Sequence, residues 1–261
     1  MPKVKEIASA IEEFAPRNLQ ESYDNAGLQV GDADMEVTAA LLCLDVTEDV
    51  MAEAKRRGCN MVISHHPLLF SSLKKVTGAT PAERIVSDAI RNDIAIYAAH
   101  TNLDSASRGV SYEIANTLGL KDIEVLEEKP GNPGVGLGVI GNLDATPVLE
   151  FLRKAKEAFK VRDLRYGGPA RLLVVKRIAI CGGAGASLIR EAIAKGADTF
   201  ITGDLKYHDY TTYSPDILLA DIGHFESELC TKKIFSRIIR EKFPNFVAYF
   251  SESEKNPINI M

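Results

Sequence analysis

The sequence predicts an α/β fold of two related halves with largely parallel strands, and three observations predict it. Apolar runs of strand length alternate with helical patterns. That alternation occurs on both sides of a Pro- and Gly-rich stretch, and the two passes align with each other. Histidines and carboxylates recur where strand-like runs end, which is where open α/β sheets bind ligands.

Taken in order, "MPKVKEIASAIEEF" reads as an amphipathic helix with acidic residues, unlike a basic secretory leader. The runs "AALLCL", "NMVIS" and "IAIYAA" then read as strands, separated by the helical "EDVMAEAKRRG" and "AERIVSDAIRN". The segment "EEKPGNPGVG" reads as a linker, so the expected halves are residues 1–128 and 129–261, with no inserted middle domain. The second half repeats the rhythm with "RIAIC", "ASLIREAIAKG", "DTFIT", "DILLAD" and the helical "ELCTKKIFSRIIREKF". From Cys43, "CLDVTEDVMAEAKRRGCNMVISHH" aligns without a gap onto "CGGAGASLIREAIAKGADTFITGD" from Cys181. Cys, Glu-Ala, Gly and Ile coincide, and "YAAHTNLD" and "ADIGHFESE" both end a strand in His with a carboxylate four residues on. A duplicated unit accounts for both observations.

Composition excludes several functions. The 261 residues are 46% hydrophobic, enough for one large core or two joined ones. A net charge of -5 with dispersed Lys and Arg gives no footprint for nucleic acid or an anionic membrane. No apolar run reaches membrane-spanning length. Cys43, Cys59, Cys181 and Cys230 form no C-x-x-C pair, so neither a disulfide framework nor a zinc ribbon is signalled, and reduced thiols in a cytoplasmic protein are expected.

The five histidines carry the chemistry: His65, His66, His100, His208 and His224 each lie at or just behind an apolar run. Adjacent residues of a regular strand point to opposite faces, so His65 and His66 are expected to serve two neighbouring ions rather than chelate one. His224 and Glu228, at i and i+4, share a helix face, and His100 and Asp104 repeat that spacing. Imidazole and carboxylate without thiolate suit zinc, manganese, iron or cobalt. His100 and His208 are candidate proton-transfer groups. Each of these histidines also has a plain structural reading as a hydrogen-bonded residue at a strand end. The turn "CGGAGAS" offers Gly182 and Gly183 for a phosphate, or for tight-turn geometry alone. The segment "GDLKYHD" offers Asp204 and Lys206 as substrate contacts, or is simply a solvated loop.

The segments "YDNAGLQVGD", "SHHPLLF", "AAHTNLD", "TGDLKYHD" and "DIGHFESE", in this order, resemble the NIF-three-like family (Ngg-interacting factor three), also called GTP cyclohydrolase I type 2 homologues. Tyr23 stands where many members have Trp. The resemblance implies an internally duplicated α/β fold around a dinuclear metal site, with His65, His66, Asp104, His224 and Glu228 as ligands. It also implies a homohexamer built as a trimer of dimers. The expected activity is metal-dependent hydrolysis of a nucleotide or phosphoester by a water held between two divalent ions, with Glu228 or Asp104 bridging. The competing expectation is a metal-handling or assembly protein without turnover, and a nucleic-acid-binding ring is opposed by the acidic balance.

Overall fold

A computed structural model describes residues 1–259 and 261. The strands, in chain order, are β1 (Gly27–Val30), β2 (Ala40–Cys43), β3 (Met61–Ser64), β4 (Ala95–Ala98), β5 (Lys121–Lys129), β6 (Asn132–Pro147), β7 (Arg165–Gly167), β8 (Val174–Ala184), β9 (Thr199–Gly203), β10 (Leu218–Asp221) and β11 (Ala248–Phe250). The helices are α1 (Val4–Phe14), α2 (Glu48–Arg56), α3 (Pro81–Arg91), α4 (Thr101–Ser105), α5 (Val110–Leu118), α6 (Val148–Ala158), α7 (Ile189–Ala194), α8 (Tyr207–Tyr213), α9 (His224–Glu228) and α10 (Thr231–Lys242).

Two compact units form, one from residues 1–106 with 231–255, the other from 107–230 with 256–261. The first holds a five-stranded sheet of order β1-β4-β3-β2-β11, parallel except for β1. Strands β2, β3 and β4 are buried at every position, as expected of parallel strands covered on both faces. One face packs Leu41, Cys43, Val62 and Ile96 against Val50 and Met51 of α2 and Ile85 and Ala89 of α3. Helix α10 packs on β2 and α1 packs on α10, burying Ile234, Phe235, Ile7 and Ile11. Local signals start these helices. The Thr47 hydroxyl accepts from the Val50 N–H at 3.2 Å to cap α2, and Thr80 caps α3 ahead of Pro81.

The second unit holds a six-stranded sheet of order β5-β6-β8-β9-β10-β7, parallel only across β8-β9-β10. Phe200, Leu219, Ala179 and Ile140 meet Leu188, Ile189 and Ala192 on one face.

The boundary expected at 128/129 is therefore corrected to 106/107, with a further exchange at the C-terminus. "EEKPGNPGVG" is not a linker: it closes an antiparallel hairpin, with Val125 opposite Val139 and Glu127 opposite Leu137. Residues 231–255 leave the second unit because β11 pairs in parallel with β2, Tyr249 opposite Leu41. A pair of strand-length apolar stretches around Pro and Gly reads equally as hairpin or linker, and only strand pairing separates the two.

Candidate metal centre

In the first unit the strand ends at Ser64, and His65 and His66 follow it. The His65 N–H donates to the Cys43 carbonyl at 3.2 Å and the His66 N–H to the Leu44 carbonyl at 2.9 Å. Consecutive N–H groups thus turn to the same neighbouring strand, whereas a regular ladder alternates them. The chain has left the pleat, and the expectation that the two rings diverge is corrected. Their centroids lie 5.1 Å apart, and the His100 ring stands 5.2 Å from His65 and 5.4 Å from His66. Each of the three offers a ring nitrogen within 4.8 Å of the others. That approaches the roughly 4.2 Å that two metal–nitrogen bonds of about 2.1 Å span end to end. Asp104, one turn beyond His100 on α4, places Oδ1 3.6 Å from His65 Nε2.

What orients these rings is an oxygen behind each. His65 Nδ1 lies 2.9 Å from the Ala99 carbonyl, His66 Nδ1 2.8 Å from Asp45 Oδ1, and His100 Nδ1 2.9 Å from Asp24 Oδ1. An imidazole that donates from Nδ1 to oxygen presents a lone pair at Nε2, the arrangement found behind metal-ligating histidines. Asp24 is itself fully enclosed and also accepts from the Thr101 hydroxyl and N–H and from the Asn25 N–H. Burial pushes its carboxyl up, but the hydrogen bonds from His100 and Thr101 outweigh it and hold Asp24 well below the usual carboxylate range.

In the second unit, His224 opens α9 after Gly223, whose φ of 81° favours glycine. The i, i+4 spacing does what the sequence suggested: His224 Nε2 lies 3.0 Å from Glu228 Oε2. Its Nδ1 is 2.8 Å from Asp204 Oδ2, so His224 repeats the carboxylate-backed pattern of His66 and His100. The Glu228 hydrogen bond, against the opposing effect of burial and with help from Asp204, pushes the His224 imidazole up to about 9.

At the glycine turn, for which the sequence allows a phosphate cradle or tight-turn geometry alone, the N–H groups meet side-chain hydroxyls. The N–H groups of Gly182, Gly183 and Gly185 donate to the hydroxyls of Ser111, Ser227 and Thr202 at 3.2, 3.0 and 2.8 Å. A Cβ on Gly183, at φ 64°, would stand 2.1 Å from Glu228 Oε1. The turn is glycine because the Glu228 carboxylate occupies that space. Asp204 is exposed at φ 58° and serves His224, and Lys206 is exposed ahead of α8. His208 is exposed on α8 beside Tyr207, close behind β9. Sequence reasoning missed Asp24 and Asp45. Asp45 had a signal, a carboxylate directly after the apolar β2. Asp24 had only its place in the segment "YDNAGLQVGD", since its histidine lies 76 residues away.

The fold and these donors define an α/β protein with histidine and carboxylate groups that could hold a metal ion. Residues 2–257 match the Duf34/NIF3 (NGG1p interacting factor 3) family, and the chain belongs to it. It is 37% identical over 264 residues to a Clostridium perfringens protein named "GTP cyclohydrolase 1 type 2 homolog", covering 99% of this chain and all of that one. It is also similar to the Staphylococcus aureus protein SA1388, with a TM-score of 0.90, 27% identity and 99% of each chain covered. A Bacillus cereus protein related to NIF3 gives a TM-score of 0.89 at 26% identity, covering 100% of this chain and 99% of that one. Among the described residues no helix is long and apolar enough to cross a membrane.

Proposed function

We propose that this protein is a dinuclear metal-dependent hydrolase acting on a nucleotide or phosphoester. The observation that carries the metal reading is that His65, His66 and His100 each have Nδ1 committed to an oxygen, leaving Nε2 as the donor. The proposed ligands are His65, His66, Asp104, His224 and Glu228. The set contains no thiolate and suits zinc, manganese, iron or cobalt. When bound, such a pair of ions lowers the pKa of coordinated water and polarises an electrophile.

The remaining work falls to protein side chains. His100, backed by Asp24, has the arrangement of a general base whose tautomer is fixed by a carboxylate, and it takes the proton from the attacking water at Nε2. The name carried by the curated relatives favours a nucleotide substrate over other esters. The duplicated α/β unit and the homohexamer go with this reading, as does a cytoplasmic location; the hexamer predicts a solution mass of six chains by light scattering.

The test is a turnover screen of metal-reconstituted protein against GTP and phosphoesters, run beside His100→Gln and His66→Ala. The reading predicts metal-dependent, saturable turnover in the wild type. His100→Gln retains the ions and loses activity roughly 100-fold or more, while His66→Ala loses both. Stoichiometric ions with no turnover on any substrate would replace the hydrolase with a metal-handling protein.

A further inference from the structure

We infer that Glu254, near the C-terminus, is a positioning residue for the metal ligand His66, acting through the Leu44-Asp45 peptide. The inference rests on the metal reading above. Glu254 is 4% exposed. Its Oε1 accepts from the Leu44 N–H and, at 3.3 Å, from the Asp45 N–H, while Oε2 pairs with Lys232 Nζ of α10 at 2.5 Å.

The dipeptide that Glu254 holds grips His66 at two points. The Leu44 carbonyl accepts from the His66 N–H at 2.9 Å, and Asp45 Oδ1 engages His66 Nδ1 at 2.8 Å. Beyond β2 no strand among the described residues fixes this turn from the other side, because β11 ends at Phe250. The last strand-like bond, from the Ser251 N–H to the Leu42 carbonyl at 2.9 Å, stops short of Leu44. Glu254 takes over where the ladder ends. The Asp45 side chain is half exposed, so its direction depends on the backbone beneath it.

The segment that presents Glu254 is itself pinned. The buried Glu53 carboxylate accepts from the hydroxyls of Ser251 and Ser253 at 2.8 and 2.7 Å and from the N–H groups of Glu252 and Ser253. A buried ion pair is weak evidence for net stability, and one removed partner leaves a charge uncompensated. Here the pair has a further use: Lys232 fixes the carboxylate that orders the turn. Removing an oxygen that orients a ligating histidine lowers metal affinity about 10- to 100-fold, and Glu254 acts one step behind such an oxygen.

The experiment is a cobalt(II) titration of the full chain against a competing chelator, followed by d–d absorption. Glu254→Ala is expected to weaken one of the ions about tenfold or more and to shift its absorption band. Lys232→Met with Glu254→Gln, which keeps an acceptor for Leu44 and Asp45 without the charges, is expected to bind within about threefold of wild type. In an Asp45→Ala background, Glu254→Ala is expected to add less than twofold, because the two act in series. Should Glu254→Ala fail to fold, Glu254→Asp, which keeps the pair with Lys232 but shortens the reach, carries the same expectation. Wild-type affinity and spectrum in a folded Glu254→Ala or Glu254→Asp protein would overturn the inference, as would full additivity with Asp45→Ala. If the wild type itself binds no cobalt, the metal reading fails and takes this inference with it.

Discussion

Gly183→Ala tests whether the glycine turn exists to make room for Glu228. The new Cβ would stand 2.1 Å from Glu228 Oε1, well inside van der Waals contact, and the backbone would remain at φ 64°. Left-handed backbone costs a residue with a Cβ roughly 1–2 kcal/mol. Because the carboxylate must also move, its 3.0 Å hydrogen bond with His224 is lost, and a charge-assisted bond of this kind contributes about 1.5–3 kcal/mol. The combined loss is about 2.5–5 kcal/mol in metal-free protein at pH 7, read as a shift in urea midpoint at constant m-value. Repeating the substitution in Glu228→Ala separates the parts: with the carboxylate gone, only the backbone cost of roughly 1–2 kcal/mol should remain. A Gly183→Ala cost below about 1 kcal/mol, or one that Glu228→Ala leaves unchanged, would refute the reasoning.

Glu53 gives the pH dependence. Burial raises its carboxyl, but the hydroxyls of Ser253 and Ser251 and the N–H groups of Ser253 and Glu252 outweigh that and hold it at about 2. A depressed acid stabilises the fold above its unfolded value of about 4.5 and loses that contribution as pH falls toward 2. Glu53→Gln should therefore cost about 2–3 kcal/mol in urea melts at pH 7 and distinctly less at pH 3, and an equal cost at both would exclude the linkage. Asp24→Asn leaves an amide N–H facing either His100 or Thr101, and should weaken metal affinity about 10- to 100-fold by competition titration. Unchanged affinity would mean that His100 needs no carboxylate behind it.

The legible part of the fold was what local pattern controls. The run "NMVIS" became the fully buried parallel strand β3, and the helical patterns "EDVMAEAKRRG" and "AERIVSDAIRN" became α2 and α3. The unit boundary was not legible, because β11 joins β2 across some 200 residues and only tertiary pairing shows it. At the site, the i, i+4 spacing of His224 and Glu228 was read directly. The convergence of His65 and His66 was not, since strand alternation stops applying once the chain leaves the pleat after Ser64. Asp45 and Asp24 escaped notice for a related reason: they are placed by hydrogen bonds to residues far away in sequence, and no local period encodes them.

The central claim is that these donors hold metal. Its most direct test is elemental analysis of gel-filtered protein after zinc reconstitution, comparing wild type with His66→Ala and Glu228→Ala. The account predicts two ions per chain in the wild type and loss of at least one in each variant. Two ions retained by both folded variants would contradict it.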